Sequence, residues 1–344
     1  MLVRMFHPAI LLLMWPVHLA ILVLVGGQPA TIKLRNHILM ANFPHIAPER
    51  CTGCGLCISV CPDRTLSLVA GIAQVSGDRC MACGHCQAAC PARAIEIGEV
   101  HVDLGFNHID EKEGWLAPGT SDVADLVQLL RSRRSVRSYL EKPVSLSLLE
   151  DLVKIGTTAP SGTNSQAWTF TILKNRREVE LLGGLTAAFF HKLNRKAASP
   201  LWRLAARLFA GDSLGRYYRR HYQTVREGLA DWYERGEDHL FHGAPAAILV
   251  GGKGVASCPA EDALLASANI LLGAHALGLS TCLIGFVVEA MRHDTGIGRT
   301  LALAPGEKIY AVIGVGYGRE SYQRPAGRKR AEIRYLDPLA GPAS

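Results

Sequence analysis

No G-x-G-x-x-G unit follows a strand-like run anywhere in the sequence, so no separate dinucleotide-binding domain is evident. Nucleic-acid modules are absent too, although the net charge is +7 and unevenly spread. Lys192, Arg195, Lys196, Arg203, Arg207, Arg216, Arg219, Arg220 and Arg226 face only Asp212 and Glu227 along that stretch, and Arg324, Arg328, Lys329, Arg330 and Arg334 cluster near the C-terminus. Without a reading module, such patches suit an anionic cofactor, an acidic protein partner or anionic lipid better than nucleic acid. Cysteine outside one paired motif is scarce. Of 10 cysteines only Cys258 and Cys282 lie elsewhere, too few to frame disulfides. No small-residue cleavage site follows the apolar run Met5–Val25, which argues against a signal peptide. That run is long enough to span a bilayer, although Pro8 and Pro16 interrupt it. Two readings stand for residues 1–45. The run is an anchor, with Lys33, Arg35 and Arg50 keeping the rest of the chain cytoplasmic, or translation begins at Met40 and the run is never made. Either way the expected location is cytoplasmic, free or attached to the inner face of the membrane.

What is abundant is a repeated cysteine pattern. CTGCGLCISVCP at 51–62 and CMACGHCQAACP at 80–91 both read C-x2-C-x2-C-x3-C-P. Three thiolates at this spacing hold one cubane cluster, and the cysteine before proline reaches to the other. On that rule Cys51, Cys54, Cys57 and Cys90 hold one [4Fe–4S] cluster, and Cys80, Cys83, Cys86 and Cys61 hold the second. Zinc requires four ligands but not this third cysteine and following C-P. Gly53, Gly55 and Gly84 suit backbone that bends closely around a cluster, and His85 reads as a neighbour rather than a ligand. CPDRTLSL and CPARAIEI extend the repeat, each with a short alternating strand. Residues 46–100 thus resemble a bacterial two-cluster ferredoxin domain.

Residues 101–120 read as a linker, punctuated by Pro118 and Gly119. A helix is expected from Asp122, with Val123, Leu126, Val127 and Leu130 on one face, and another from Ser147, with Ser147 and Glu150 as a capping box. Buried strands are expected at 168–174, 245–251 and 309–315, and a long apolar helix at 261–277 closed by Gly278. Residues 186–240 are basic, aromatic and helical in character. They read as amphipathic helices packed on the core, as a lid over an active site, or as a dock for the cluster domain.

Three segments carry the second half. Arg133, Ser135 and Arg137 put two guanidinium forks and a hydroxyl near a helix end, a set suited to phosphate. PSGTNSQAW (160–168) is a turn rich in amide and hydroxyl groups, and GLSTCLIGF (278–286) follows the long helix. Together, over 121–344, they resemble the nitroreductase family of flavoenzymes. The resemblance implies an α+β fold, a mixed sheet flanked by helices with a helical insertion, and a homodimer holding FMN at its interface. It implies that Arg133, Ser135, Arg137, Arg328 and Arg330 meet the FMN phosphate and ribityl chain. It further implies that Pro160, Ser161 and Asn164 reach the flavin from the other subunit, and that Leu283, Ile284 and Gly285 lie along the ring. The usual Q-P-W reads Gln166-Ala167-Trp168, and the usual tryptophan is replaced by Leu283, which reshapes the space beside the flavin and bears on the substrate. Cys282 reads as a buried thiol.

A two-cluster domain ahead of such a unit resembles the ferredoxin-linked nitroreductases. The implied activity is an FMN-dependent oxidoreductase whose clusters relay electrons from reduced ferredoxin or NAD(P)H to a small nitro, quinone or enone-like acceptor. Nicotinamide stacks on the flavin in this family without a dinucleotide domain. No catalytic side chain is expected, since the flavin delivers hydride. The alternative is an electron-transfer or redox-sensing flavoprotein without turnover of an organic substrate.

Overall fold

The computed structural model describes residues 43–98 and 100–336; the Met5–Val25 run and the Met40 start lie outside them. It forms two compact units, one ending at His101 and the other beginning at Val102.

In the first unit β1 (Pro44–Ile46), α1 (Leu56–Ser59), β2 (Leu66–Val69), β3 (Ile72–Val75), α2 (His85–Ala88) and β4 (Ile95–Ile97) follow in order. Antiparallel β1 pairs with β4 and β2 with β3. The sequence repeat becomes a structural one. Both one-turn helices start behind a left-handed glycine, Gly55 (φ 73°) and Gly84 (φ 74°), which an L side chain rarely replaces. Arg64 and Arg93 are left-handed at matching places after the two C-P pairs. The core is small: Cys57, Leu66, Ala73, Cys86, Ile95 and Ile97.

In the second unit come α3 (Val123–Ser132), α4 (Leu146–Thr157), β5 (Trp168–Leu173), α5 (Arg176–Ala198), α6 (Pro200–Ala210), α7 (Ser213–Arg220), α8 (Tyr222–Ala230), β6 (Ala246–Gly252), α9 (Pro259–Ala276), β7 (Ser280–Leu283), α10 (Gly285–His293), α11 (Thr295–Thr300) and β8 (Lys308–Gly316). The sheet order is β5-β6-β8-β7. Its neighbours are antiparallel, and Ser135 adds a parallel bridge to Thr281 at the β7 edge. Strand β6 is buried throughout and alternates between two cores. Ala247 and Leu249 join Val179, Leu182, Phe241 and Val287 on one face, while Ala246, Ile248 and Val250 join Leu149, Leu152 and Ile270 on the other. Period-2 alternation with apolar residues on both sides is what a strand covered by helices on both faces requires.

Asp122 caps α3 by accepting from the Ala124 N–H at 2.7 Å. The cap of α4 differs from the expected one. Ser145, not Ser147, accepts from the Leu148 N–H, and the Ser147 hydroxyl turns back onto Ser145. The helix therefore starts at Leu146 and no Ser147–Glu150 box forms. The insertion is divided, because Gly211 and His221 separate α6, α7 and α8 behind the long α5. Ahead of α3, the polypeptide at Asn107–His108 is pinned to α4. Asn107 and His108 each donate a backbone N–H to the buried Asp151 carboxylate, both at 2.8 Å, and the Asn107 amide donates at 2.9 Å.

Candidate cluster sites and flavin cavity

The cysteine sulphurs of the first unit gather in two sets. Cys51, Cys54, Cys57 and Cys90 line one small cavity, and Cys61, Cys80, Cys83 and Cys86 line another, with His85 beside the second set. Each set combines three cysteines of one motif with the last of the other. None forms a disulfide. Backbone N–H groups already point at four of the sulphurs. Thr65 donates to Cys61 at 3.3 Å, Ala73 to Cys51 at 3.4 Å, Ala82 to Cys80 at 3.4 Å and Ala94 to Cys90 at 3.3 Å. Such bonds favour thiolate over thiol. Burial acts the other way on Cys57, on Cys80, where it outweighs the bond from Ala82, and on Cys86, whose thiol is pushed up to about 11. Thiolates at those three positions at neutral pH need a bound cation, and metal coordination supplies one. The residues therefore fit iron–sulphur clusters.

The second unit holds a cavity of about 970 Å³. From the sheet edge it is lined by Cys282, Leu283, Ile284 and Gly285, and Arg137 enters beside them. Two hydrogen bonds set this edge: the Val136 N–H donates to the Thr281 carbonyl at 3.0 Å and the Ile284 N–H to the Val312 carbonyl at 2.8 Å. The RRSVR segment is thereby stitched alongside the start of GLSTCLIGF, although far from it in sequence. Leu283 is exposed into this space while Ile284 is buried. The Arg133 guanidinium is destabilised first by burial, then by the like charges of Arg134 and Arg328. Guanidinium forks near one another have the geometry that suits an anionic group. Arg330 lies exposed farther along the tail. Burial pushes the Cys282 thiol up, although Arg137 and Arg133 pull against it, so it is a protonated core thiol at neutral pH.

The insertion covers the cavity. Phe189, Phe190 and Leu193 of α5, Leu214 and Tyr217 of α7, and His221 line its other side. Leu193, Tyr217, Val225 and Leu229 also pack against the buried core, as amphipathic helices on the core would. The Tyr217 hydroxyl donates to Asn194 at 2.7 Å, tying α7 to α5.

Pro160, Ser161 and Asn164 do not line the cavity. Their loop is held instead by Asp262, in the first turn of α9. The Asp262 carboxylate accepts from the Gly162 N–H at 2.8 Å and the Ser165 hydroxyl at 3.2 Å, and its carbonyl accepts from the Trp168 indole at 3.2 Å. A Cβ on Gly162 would stand 2.4 Å from the Ser257 hydroxyl oxygen and 3.1 Å from Cys258 Cβ, so a side chain there would displace Ser257. Thr163, Asn164 and Gln166 all adopt left-handed backbone, a strained arrangement that the Asp262 anchor maintains. Asp262 escaped sequence reasoning because its partners lie far away along the chain. The only local signal was an acidic residue in a helix's first turn, which the helix dipole already explains.

Residues 130–317 match the family model described as the nitroreductase family. This chain belongs to the nitroreductase family. Residues 43–91 match the 4Fe-4S dicluster domain. The nitroreductase unit is similar to a 4-nitrobenzoate reductase from Pseudomonas putida, 26% identical over 210 residues, covering 57% of this chain and 87% of that protein. It is 31% identical over 75 residues to human iodotyrosine deiodinase 1, covering 22% of this chain and 24% of that protein. A crystal structure of a nitroreductase with bound FMN from Bacteroides fragilis aligns at a TM-score of 0.45 and 20% identity, covering 62% of this chain and 99% of that one. Family membership makes the chain an oxidoreductase. Among the described residues no helix is long and apolar enough to cross a membrane.

Proposed function

We propose that this chain is an FMN-dependent oxidoreductase in which two [4Fe–4S] clusters carry electrons from an external donor, reduced ferredoxin or NAD(P)H, toward a small organic acceptor. The observation that carries the reading is the pairing, in one polypeptide, of two four-cysteine sets with a cavity lined by Arg137, Cys282 and Leu283, with Arg133 near Cys282. Cys51, Cys54, Cys57 and Cys90 would hold one cluster, and Cys80, Cys83, Cys86 and Cys61 the other. Arg133, Ser135, Arg137 and Arg328 would hold the FMN phosphate and ribityl chain, with Arg330 joining from the tail. Leu283, Ile284 and Gly285 would lie along the ring. When bound, FMN accepts electrons singly and supplies a hydride, which joins one-electron carriers to two-electron chemistry. The acceptor class, nitro, quinone or enone-like, draws support from the similarity to the 4-nitrobenzoate reductase. Phe189, Phe190, Leu214 and Phe286 give the cavity an apolar wall, and Leu283, in place of a larger ring, leaves room beside it.

A second copy of the chain belongs to the same reading. Helix α3 buries no residue, and Val123, Leu126, Val127 and Leu130 stand exposed along it, as do Leu264 and Leu265 of α9. Pairing of these faces in a homodimer would cover them and would bring the loop of Pro160, Ser161 and Asn164 to the partner's flavin.

The test is Cys57→Ala in anaerobically purified protein. With reduced ferredoxin as donor, acceptor reduction should fall to background, while turnover driven by a chemical reductant of the flavin persists. Full ferredoxin-driven activity in the variant would sink the relay.

A further inference from the structure

Helix α6 is inside out. At 100° per residue Leu201, Trp202, Leu204, Leu208 and Phe209 share an arc of roughly 160°, and Arg203 and Arg207 lie opposite. In a surface helix the apolar arc faces the core. Here it faces solvent: Phe209 is 89% exposed and Leu201 78%, with Trp202, Leu204 and Leu208 also exposed. The helix is not free to roll over. Arg203 donates to the carbonyls of Ala197 at 2.5 Å and Ala198 at 3.0 Å, and its guanidinium stacks on Tyr218 at 4.1 Å. The polar flank is thus riveted to α5 and α7, and the apolar flank is held outward.

The surroundings are cationic. Arg195, Arg207, Arg216 and Arg220 are exposed, and the one acid within 192–226, Asp212, is already paired with Arg219.

We propose that α6 is a membrane-docking element that lays its Leu201–Phe209 flank into the headgroup–acyl boundary of an anionic bilayer. Trp, Phe and Leu on one flank with arginine around it is the composition of interfacial helices. A second copy is a poorer occupant. The proposed homodimer uses the exposed faces of α3 and α9, and the arginines around this flank would repel one another wherever two such flanks met. An acidic protein would account for the arginines but not for five large apolar side chains held outward on one flank.

The experiment is co-sedimentation of the full chain, clusters and flavin loaded, with vesicles of phosphatidylcholine alone or mixed with phosphatidylglycerol. Leu208→Ser/Phe209→Ser should weaken partition onto the mixed vesicles by at least about tenfold. Arg216→Gln/Arg220→Gln, both exposed, should weaken binding to the mixed vesicles about tenfold while leaving binding to phosphatidylcholine unchanged. Three results would overturn the proposal: the Leu208/Phe209 variant binds like wild type, phosphatidylglycerol makes no difference, or that variant alters only the oligomeric mass in sedimentation. The last would assign the flank to a second copy or another protein.

Discussion

In the unit ending at His101 every candidate ligand lies between Cys51 and Cys90, and the two ligand sets interleave two copies of one motif. In the unit beginning at Val102 the candidate flavin cavity draws Arg137 from just after α3, Leu283 from β7 and Tyr217 from α7. The first unit has a core of six buried residues, two of them cysteines of the clusters themselves. The second has two extensive cores, one on each face of its sheet. A short local motif can specify a site where the cofactor provides much of the packing. A site assembled from distant segments needs an apolar framework that exists before the cofactor arrives.

Removing the iron should break the comparison most visibly. A unit of this size with so small a core stands at the margin of what apolar burial alone can hold folded. Chelation under anaerobic, reducing conditions should therefore unfold residues 43–101 and leave the unit from Val102 with its own unfolding transition. Hydrogen exchange followed by mass spectrometry would read both units in one sample. Protection retained across Leu66, Ala73, Ile95 and Ile97 without iron would show that the small core suffices.

The same contrast explains what could be read in advance. The cysteine spacing displays its chemistry because ligand, glycine and proline recur at fixed offsets. Strands β6 and β8 were legible as unbroken apolar runs, and the end of α9 was legible because Gly278 takes the left-handed position after it. The cap of α4 was not, because Ser145 and Ser147 are equivalent in a sequence and only the structure chooses between them. Nor was the orientation of α6. Periodicity reveals that a helix has an apolar flank, not which way the flank points. Anchors that join distant segments, Asp262 above all, leave no periodic trace.

Asp262 offers a sharper and smaller perturbation of the dispersed site. Asp262→Ala would leave the Gly162 N–H and Ser165 hydroxyl without their acceptor, and an orphaned buried group costs about 1–3 kcal/mol. Because Thr163, Asn164 and Gln166 are held in left-handed backbone, the loop should relax before the sheet does. The expected outcome is a lowered midpoint for the second unit together with weaker FMN retention, measured by urea unfolding and flavin release, and no change in the cluster spectrum. If flavin affinity is untouched, the Pro160–Asn164 loop does not reach the cofactor.

The smallest effect is expected at the latch between Asn107–His108 and α4, and it depends on pH. Burial raises the Asp151 carboxyl, but the backbone and side-chain hydrogen bonds of Asn107 and His108 outweigh it and hold the group down at about 2. A carboxyl whose folded value lies below its ordinary value, about 3.9, stabilises the fold fully above that value. The contribution is lost as the pH falls toward 2, because protonation then favours the unfolded chain. Asp151→Asn keeps one acceptor and loses the charge, so it should cost about 2 kcal/mol at neutral pH. Wild type and variant should converge as acid neutralises the wild-type carboxylate, and their urea midpoints across pH 7 to about 2 would show this. A pH-independent difference would mean that the latch acts through shape and not through charge, and that Asp151 belongs with the packing residues of the second unit.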